Sequence, residues 1–138
     1  MSDTGQGRRL ADFIGSWRLE RQIRHGDGSV ARFDGRAEWR AEGGGALCLE
    51  TGTLTLPDGV AVQAERRYLW DEALQVRFQD GRFFHAVPPL GGRVAHDCPP
   101  DRYEATYDFA EWPRWRCTWR VRGPRKDYAM HGLYAPEG

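Results

Sequence analysis

The chain has 138 residues, enough for one domain with a single core and no covalent staples. Twenty basic side chains balance twenty acidic ones, which leaves no electrostatic footprint for nucleic acid and argues against such a partner. No run approaches the roughly 20 apolar residues of a membrane-spanning helix, so membrane insertion is not expected either.

Residues 1–8 are polar and Gly-rich, with no apolar segment that would mark a signal peptide, and read as a flexible N-terminus. Residues 9–138 read as a single domain. Cys48, Cys98 and Cys117 are far apart and odd in number, which predicts reduced thiols in a cytoplasmic protein and not a disulfide framework. Arg9 to Ile14 form a helical turn or two before Gly15. From there to the end, apolar and polar residues alternate with period two between turn residues, the pattern of half-buried strands. Trp17, Leu19 and Ile23 share a face of the first strand, which turns at Gly26-Asp27-Gly28. Phe33, Gly35, Ala37 and Trp39 share a face of the second. Gly43-Gly44-Gly45 breaks the pattern, and a third strand over 46–56 ends at Pro57-Asp58-Gly59. Val60, Val62, Ala64, Arg66, Tyr68 and Trp70 align on the fourth, and Leu74, Val76 and Phe78 on the fifth. Asp80-Gly81 predicts a two-residue type I′ hairpin turn into a sixth strand over 82–87. The Pro- and Gly-rich segment 88–92 leads to a seventh over 93–98. Tyr103, Ala105 and Tyr107, then Trp115, Cys117, Trp119 and Val121, then Tyr128, Met130, Gly132 and Tyr134 mark the last three. Short loops make consecutive strands antiparallel neighbours, and closing a twisted sheet on itself removes its edges. The expected fold is all-β: a single antiparallel up-and-down barrel of about ten strands with a short N-terminal helical turn.

Gly15-Ser16-Trp17 after a helical turn resembles the opening of the lipocalin and calycin barrels. That resemblance implies a helical plug at one end and a Trp packed across the base under an arginine from a late strand, with Arg120 or Arg122 as the partner. A second resemblance covers nearly the whole chain. It rests on Phe13-Ile14-Gly15-Ser16-Trp17-Arg18-Leu19-Glu20-Arg21, Arg67-Tyr68-Leu69-Trp70, Asp80-Gly81-Arg82-Phe83-Phe84-His85, His96-Asp97-Cys98 with Asp101 and Tyr103, and Gly123-Pro124-Arg125-Lys126-Asp127-Tyr128. In that order these motifs resemble domain of unknown function family 6314, a family of small bacterial proteins. The resemblance implies a lipocalin-like barrel and brings no activity with it.

A barrel of this size is either filled by side chains or holds one small ligand. The inward candidates, Trp39 among them, are aromatic with a few polar groups, the composition of a small-molecule site; a packed aromatic core is the simpler account of any one of them. The expected ligand-binding set is Arg66, Tyr68, Trp70, Phe83, His85, His96, Cys98, Tyr103, Tyr107 and Trp119, with Arg66, His85 and His96 fixing the polar end of the ligand. Pairing about the centre of 88–92 brings His85 nearly opposite His96, with Cβ atoms about 4.5–5.5 Å apart, and puts Cys98 on the same face as His96. Phe83 and His85 share one face of their strand, Arg82 and Phe84 the other; the flanking pattern favours the histidines inside. Asp97, adjacent to His96, points to the opposite face and does not orient it. Arg125 and Lys126 sit at a hairpin turn, where an ion pair with Asp127 is the simplest role and an anion grip the alternative.

The expected function is intracellular binding of a small, largely apolar ligand with a polar or acidic group. One alternative is a lipocalin-barrel enzyme of hydrolase, isomerase or decarboxylase type with His85 or His96 as general acid/base. Another is a metal- or haem-binding barrel in which His85, His96 and Cys98 supply ligands. Beyond these, no cofactor is expected, and the protein would be a monomer or homodimer.

Overall fold

A computed structural model describes residues 7–137. The expected flexible N-terminus falls mostly on residues 1–6, outside the described residues. Arg8, at the end of that stretch, is packed: its amide donates to the Pro89 carbonyl at 2.7 Å, and its guanidinium lies 4.7 Å from the Trp112 ring centroid.

The helical turn α1 (Leu10–Phe13) is held at its start by the Arg9 amide, which donates to Asp12 Oδ2 at 2.8 Å. Gly15 then takes φ 129°, which an L side chain rarely adopts, and the chain enters the sheet. Ten antiparallel strands follow: β1 (Gly15–His25), β2 (Val30–Glu42), β3 (Gly45–Thr55), β4 (Ala61–Trp70), β5 (Gln75–Phe78), β6 (Phe83–Ala86), β7 (Gly92–Cys98), β8 (Asp101–Asp108), β9 (Trp115–Arg122) and β10 (Asp127–Pro136). They form one sheet in the order β6-β5-β4-β3-β2-β1-β10-β9-β8-β7. The β1–β10 ladder joins the two ends of the chain and makes the meander a nearly closed barrel. Period-two alternation puts Trp17 and Leu19, Ala37 and Trp39, Cys48 and Glu50, and Trp115 and Cys117 on the inner face.

Three of the hairpins reuse one turn. At His25–Ser29, Leu56–Val60 and Phe78–Arg82 the glycine amide donates back three residues, at 2.8 to 2.9 Å. The glycine has positive φ, and the preceding aspartate accepts the amide two residues ahead. The turn at Asp80-Gly81 is therefore where the sequence puts it but is not type I′, because Asp80 keeps negative φ; it is a type I turn closed by a left-handed glycine. The β4–β5 turn repeats the same bonds from Asp71 to Gln75, with Leu74 in the glycine's place at φ 61°. A bulky residue there is uncommon; Leu74 is 2% exposed, so core packing holds it. Gly35 and Gly52 are register partners on β2 and β3. A Cβ on either would strike backbone of the facing strand, the Thr51 carbonyl in one case and the Asp34 carbonyl in the other.

One expected hairpin does not form. β6 and β7 share no ladder and are the two ends of the sheet. The backbone of the connecting segment is committed elsewhere: the Val87 amide donates to Leu74, and Pro89 accepts from Arg8. The two prolines have no amide to offer a ladder. His85 consequently pairs with Val76 across β5, and His96 with Tyr103 across β8. Their expected juxtaposition as ladder partners is not found.

At the end of the barrel where this connection meets Arg8, α1 plugs the base. Phe13 is fully buried, with Trp39, Trp70, Phe109, Trp112 and Trp115 ring centroids 5.2 to 6.0 Å away. Trp17 Nε1 donates to the Phe13 carbonyl at 2.8 Å. The arginine of the base is Arg8 over Trp112, which meets Trp17 edge-on; Arg120 instead pairs with Asp127 near the far end of the barrel.

Candidate functional site

Above the plug the barrel keeps an internal cavity of about 160 Å3. Its wall is aromatic, from Trp39, Trp70 and Trp115 near the base to Trp119, Phe84 and Tyr103. Trp115 lies flat on Tyr134, with ring centroids 3.8 Å apart, and Trp119 stacks on Phe84 at 5.0 Å.

A charged cluster interrupts this wall. Arg21 on β1 donates from Nη1 to Glu50 Oε1 at 2.9 Å and from Nη2 to Oε2 at 3.0 Å, a bidentate pair. Tyr134 accepts from Arg21 Nη2 at 3.0 Å and donates to Glu50 Oε2 at 3.3 Å. Both charged side chains are nearly dry, 12% and 7% exposed. Burial alone would raise the Glu50 carboxyl; the charge and hydrogen bonds of Arg21, with Arg66 and Tyr134, hold it below the ordinary carboxylate value. Arg66, the β3–β4 register partner of Glu50, reaches the same cavity from an exposed position. Its nearest hydrogen-bonding contact is Tyr68 Oη at 3.5 Å, and among the described residues no carboxylate lies within ion-pairing distance of it. Among the described residues the inner face thus carries one closed ion pair and one further cation, Arg66, that no carboxylate meets at ion-pairing distance.

His85, both buried thiols and Tyr107 on the wall are held neutral. His85 is 4% exposed, and its Nε2 lies 2.8 Å from Tyr107 Oη, while Nδ1 is buried without a hydrogen-bond partner. Burial, and secondarily the neighbouring His96, pushes its pKa down to about 3. Burial pushes the Cys117 thiol up to about 12 and the Cys48 thiol and Tyr107 hydroxyl well above their ordinary values. An imidazole this reluctant to take a proton is a weak general base at neutral pH.

Seven of the ten expected ligand-binding residues line the cavity: Arg66, Tyr68, Trp70, His85, Tyr103, Tyr107 and Trp119. Three do not. Phe83 is 44% exposed, Cys98 is exposed, and His96 is half-buried outside the wall, edge-on to Phe84 at 5.9 Å. For Phe83 the reason is a register shift between Val76 and Arg77 of β5: Val76 faces His85 and Arg77 faces Phe83, so Phe84 is an extra residue; His96 and Cys98 stand on β7, which shares no ladder with β6. Phe84 and His85 then both turn inward, in breach of strand alternation. Among the described residues no three His, Cys, Asp or Glu side chains converge on a metal position, the expected His85, His96 and Cys98 group included. Of the turn cations Lys126 is engaged, bonding Asp101 at 3.0 Å and Tyr103 Oη at 3.1 Å, and Asp127 pairs with Arg120, not with Arg125 or Lys126. The functional residues missing from the sequence reading are chiefly Arg21 and Glu50. Both had a signal, a charge at an inward position between apolar ones: Leu19 and Ile23 flank Arg21 in that pattern, and Cys48 and Leu54 flank Glu50.

A family model described as "Family of unknown function (DUF6314)" matches residues 13–136. Among solved structures the chain is similar to the S-type phycobiliprotein lyase CPES from Guillardia theta, with a TM-score of 0.64 over 94% of this chain and 90% of that one. At 8% identity this likeness concerns the fold alone. No curated protein matches the chain.

Proposed function

The chain belongs to the DUF6314 family of unknown function, and we propose that it binds one small ligand inside its barrel, an apolar body of about one aromatic ring carrying a carboxylate or comparable anion. The observation that carries this reading is the unmatched Arg66 guanidinium at an aromatic cavity whose other charges, Arg21 and Glu50, are closed on each other. The cavity volume of about 160 Å3 is close to the roughly 150 Å3 that admits benzene in an engineered protein core. Stacked rings on the wall offer an aromatic guest offset or edge-on contacts. The same barrel fold serves a phycobiliprotein lyase, which supports a ligand-handling role for the architecture.

Binding is favoured over acid–base catalysis because the carboxylate, imidazole and thiols of the wall, among the described residues, are poorly set to exchange protons: Glu50 is locked by Arg21, His85 resists protonation, and both thiols resist ionisation. Haem exceeds the cavity several-fold in size. The unpaired cysteines, with Cys98 exposed, support a reducing compartment, and together with the family resemblance a bacterial cytoplasm. Thiol titration of denatured protein taken from its host should count three; a lower count contradicts that location.

Native mass spectrometry tests the function. Protein from its own host, or protein mixed with millimolar phenylacetate, should carry one small mass that denaturation releases, and Arg66→Met should lower its occupancy at least tenfold. No adduct in either sample would overturn the proposal.

A further inference from the structure

A second, smaller cavity of about 90 Å3 lies inside the same barrel. It shares Arg21, Glu50, Arg66 and Met130 with the larger one, so the ion pair and its neighbours form a partition between two chambers. The remaining walls differ in kind. The large chamber runs toward the plug among rings. The small one is bounded by Ile23, Phe33, Leu54 and Ala64, aliphatic except for Phe33, with Glu65 the one charged residue it does not share with the larger chamber. These four stand toward the ends of β1 to β4 away from the plug: Ile23 is two residues beyond Arg21, Phe33 pairs with both Arg21 and Leu54, and Ala64 pairs with Gly52.

A ligand confined to the large chamber would leave this second volume without a guest, and its apolar wall residues would forgo dispersion contacts. Arg66 borders both chambers. A guest that fills both and meets Arg66 between them carries its anion at the branch and not at an end. Building on the binding role proposed above, we infer that the ligand is a branched carboxylic acid, with an aromatic ring in the large chamber, a short aliphatic arm in the small one and the carboxylate at Arg66. A 2-arylalkanoate has this pattern: ring, arm and carboxylate leave one carbon. That carbon is stereogenic once the arm is present, so the two enantiomers place arm and carboxylate differently, and the barrel discriminates between them.

Titration of the intact protein, followed by tryptophan fluorescence, with phenylacetate, 2-phenylpropanoate, 2-phenylbutanoate and 2-phenylpentanoate tests this. Each added methylene should tighten binding by about fourfold until the small chamber is full, for one enantiomer only. Ala64→Leu, which fills that chamber from its own wall, should bring the affinity ratio of 2-phenylpentanoate to phenylacetate close to one. If phenylacetate binds but the arm brings no gain, or Ala64→Leu preserves the ratio, the branched ligand is wrong while the binding role stands. If no member of the series binds, the binding role falls and this inference falls with it. Because the wild-type series decides by itself, a misfolded variant does not shield the inference.

Discussion

Arg21 and Glu50 show what a buried charge does in this barrel. Two ions taken out of water are tolerated because the bidentate geometry and the Tyr134 hydroxyl satisfy both. Glu50→Gln keeps the shape and removes the charge, leaving Arg21 uncompensated, and should cost about 3–5 kcal/mol in urea unfolding. A loss below about 1 kcal/mol would mean the pair is solvated. The folded Glu50 carboxyl titrates below its unfolded value, so the stability it contributes is complete above the ordinary glutamate range and drains as pH falls through the lower folded value. His85 acts in the same direction from a higher start. Unfolded, it takes its proton near 6.5, folded near about 3, so its contribution is present above pH 6.5 and is lost as pH falls toward 3. Nitrogen-15 spectra at pH 5 should show His85 as a neutral imidazole; an imidazolium signal would show that the site is wet. Leu74 is a third case: its left-handed backbone was not foreseeable from a turn signal, because Asp71-Glu72-Ala73-Leu74 lacks the glycine of the other three turns.

At the level of elements, the seam between β6 and β7 is where the barrel departs from the sequence pattern. Alternation located every strand and put most inward residues on the correct face, since one inner face and one solvent face suffice to set parity. It failed at β6 because a bulge adds one residue and reverses parity partway along, and a bulge opposite Val76 and Arg77 leaves no mark in the sequence. The inferred pairing of His85 with His96 failed for a related reason. Loop length predicts a hairpin only when the loop's own backbone groups are free, and here Leu74 and Arg8 occupy them. The seam is bridged instead by rings, Phe83 meeting His96 at 6.2 Å and Phe84 meeting it at 5.9 Å. Each bordering strand therefore has one edge outside any ladder. Hydrogen exchange should be faster in β6 and β7 than in β1 and β2, which are paired on both sides. Equal protection would mean that a β6–β7 ladder exists.

At the level of the whole molecule, the chain spends its aromatic residues on two tasks. Phe13, Trp17 and Trp112 seal the base, and Trp39, Trp70, Trp115 and Trp119 wall a space that they do not fill. The aromatic character of the interior was readable from composition and period. That it encloses a void with a closed ion pair and a spare cation was not, because volume and charge balance depend on which inward side chains meet across the barrel. Arg21 and Glu50 are 29 residues apart and join only when β1 to β3 are laid side by side. The ring-bearing wall also supplies the most direct test of the binding account. The indole N–H region of a proton–nitrogen correlation spectrum reports all six tryptophans, and phenylacetate is the probe. On titration the signals of Trp39, Trp70, Trp115 and Trp119 should shift together and saturably, while Trp17, bonded to the Phe13 carbonyl, and Trp112 stay in place. Unmoved indoles at millimolar phenylacetate, or shifts confined to Trp17 and Trp112, would contradict a ligand in the cavity.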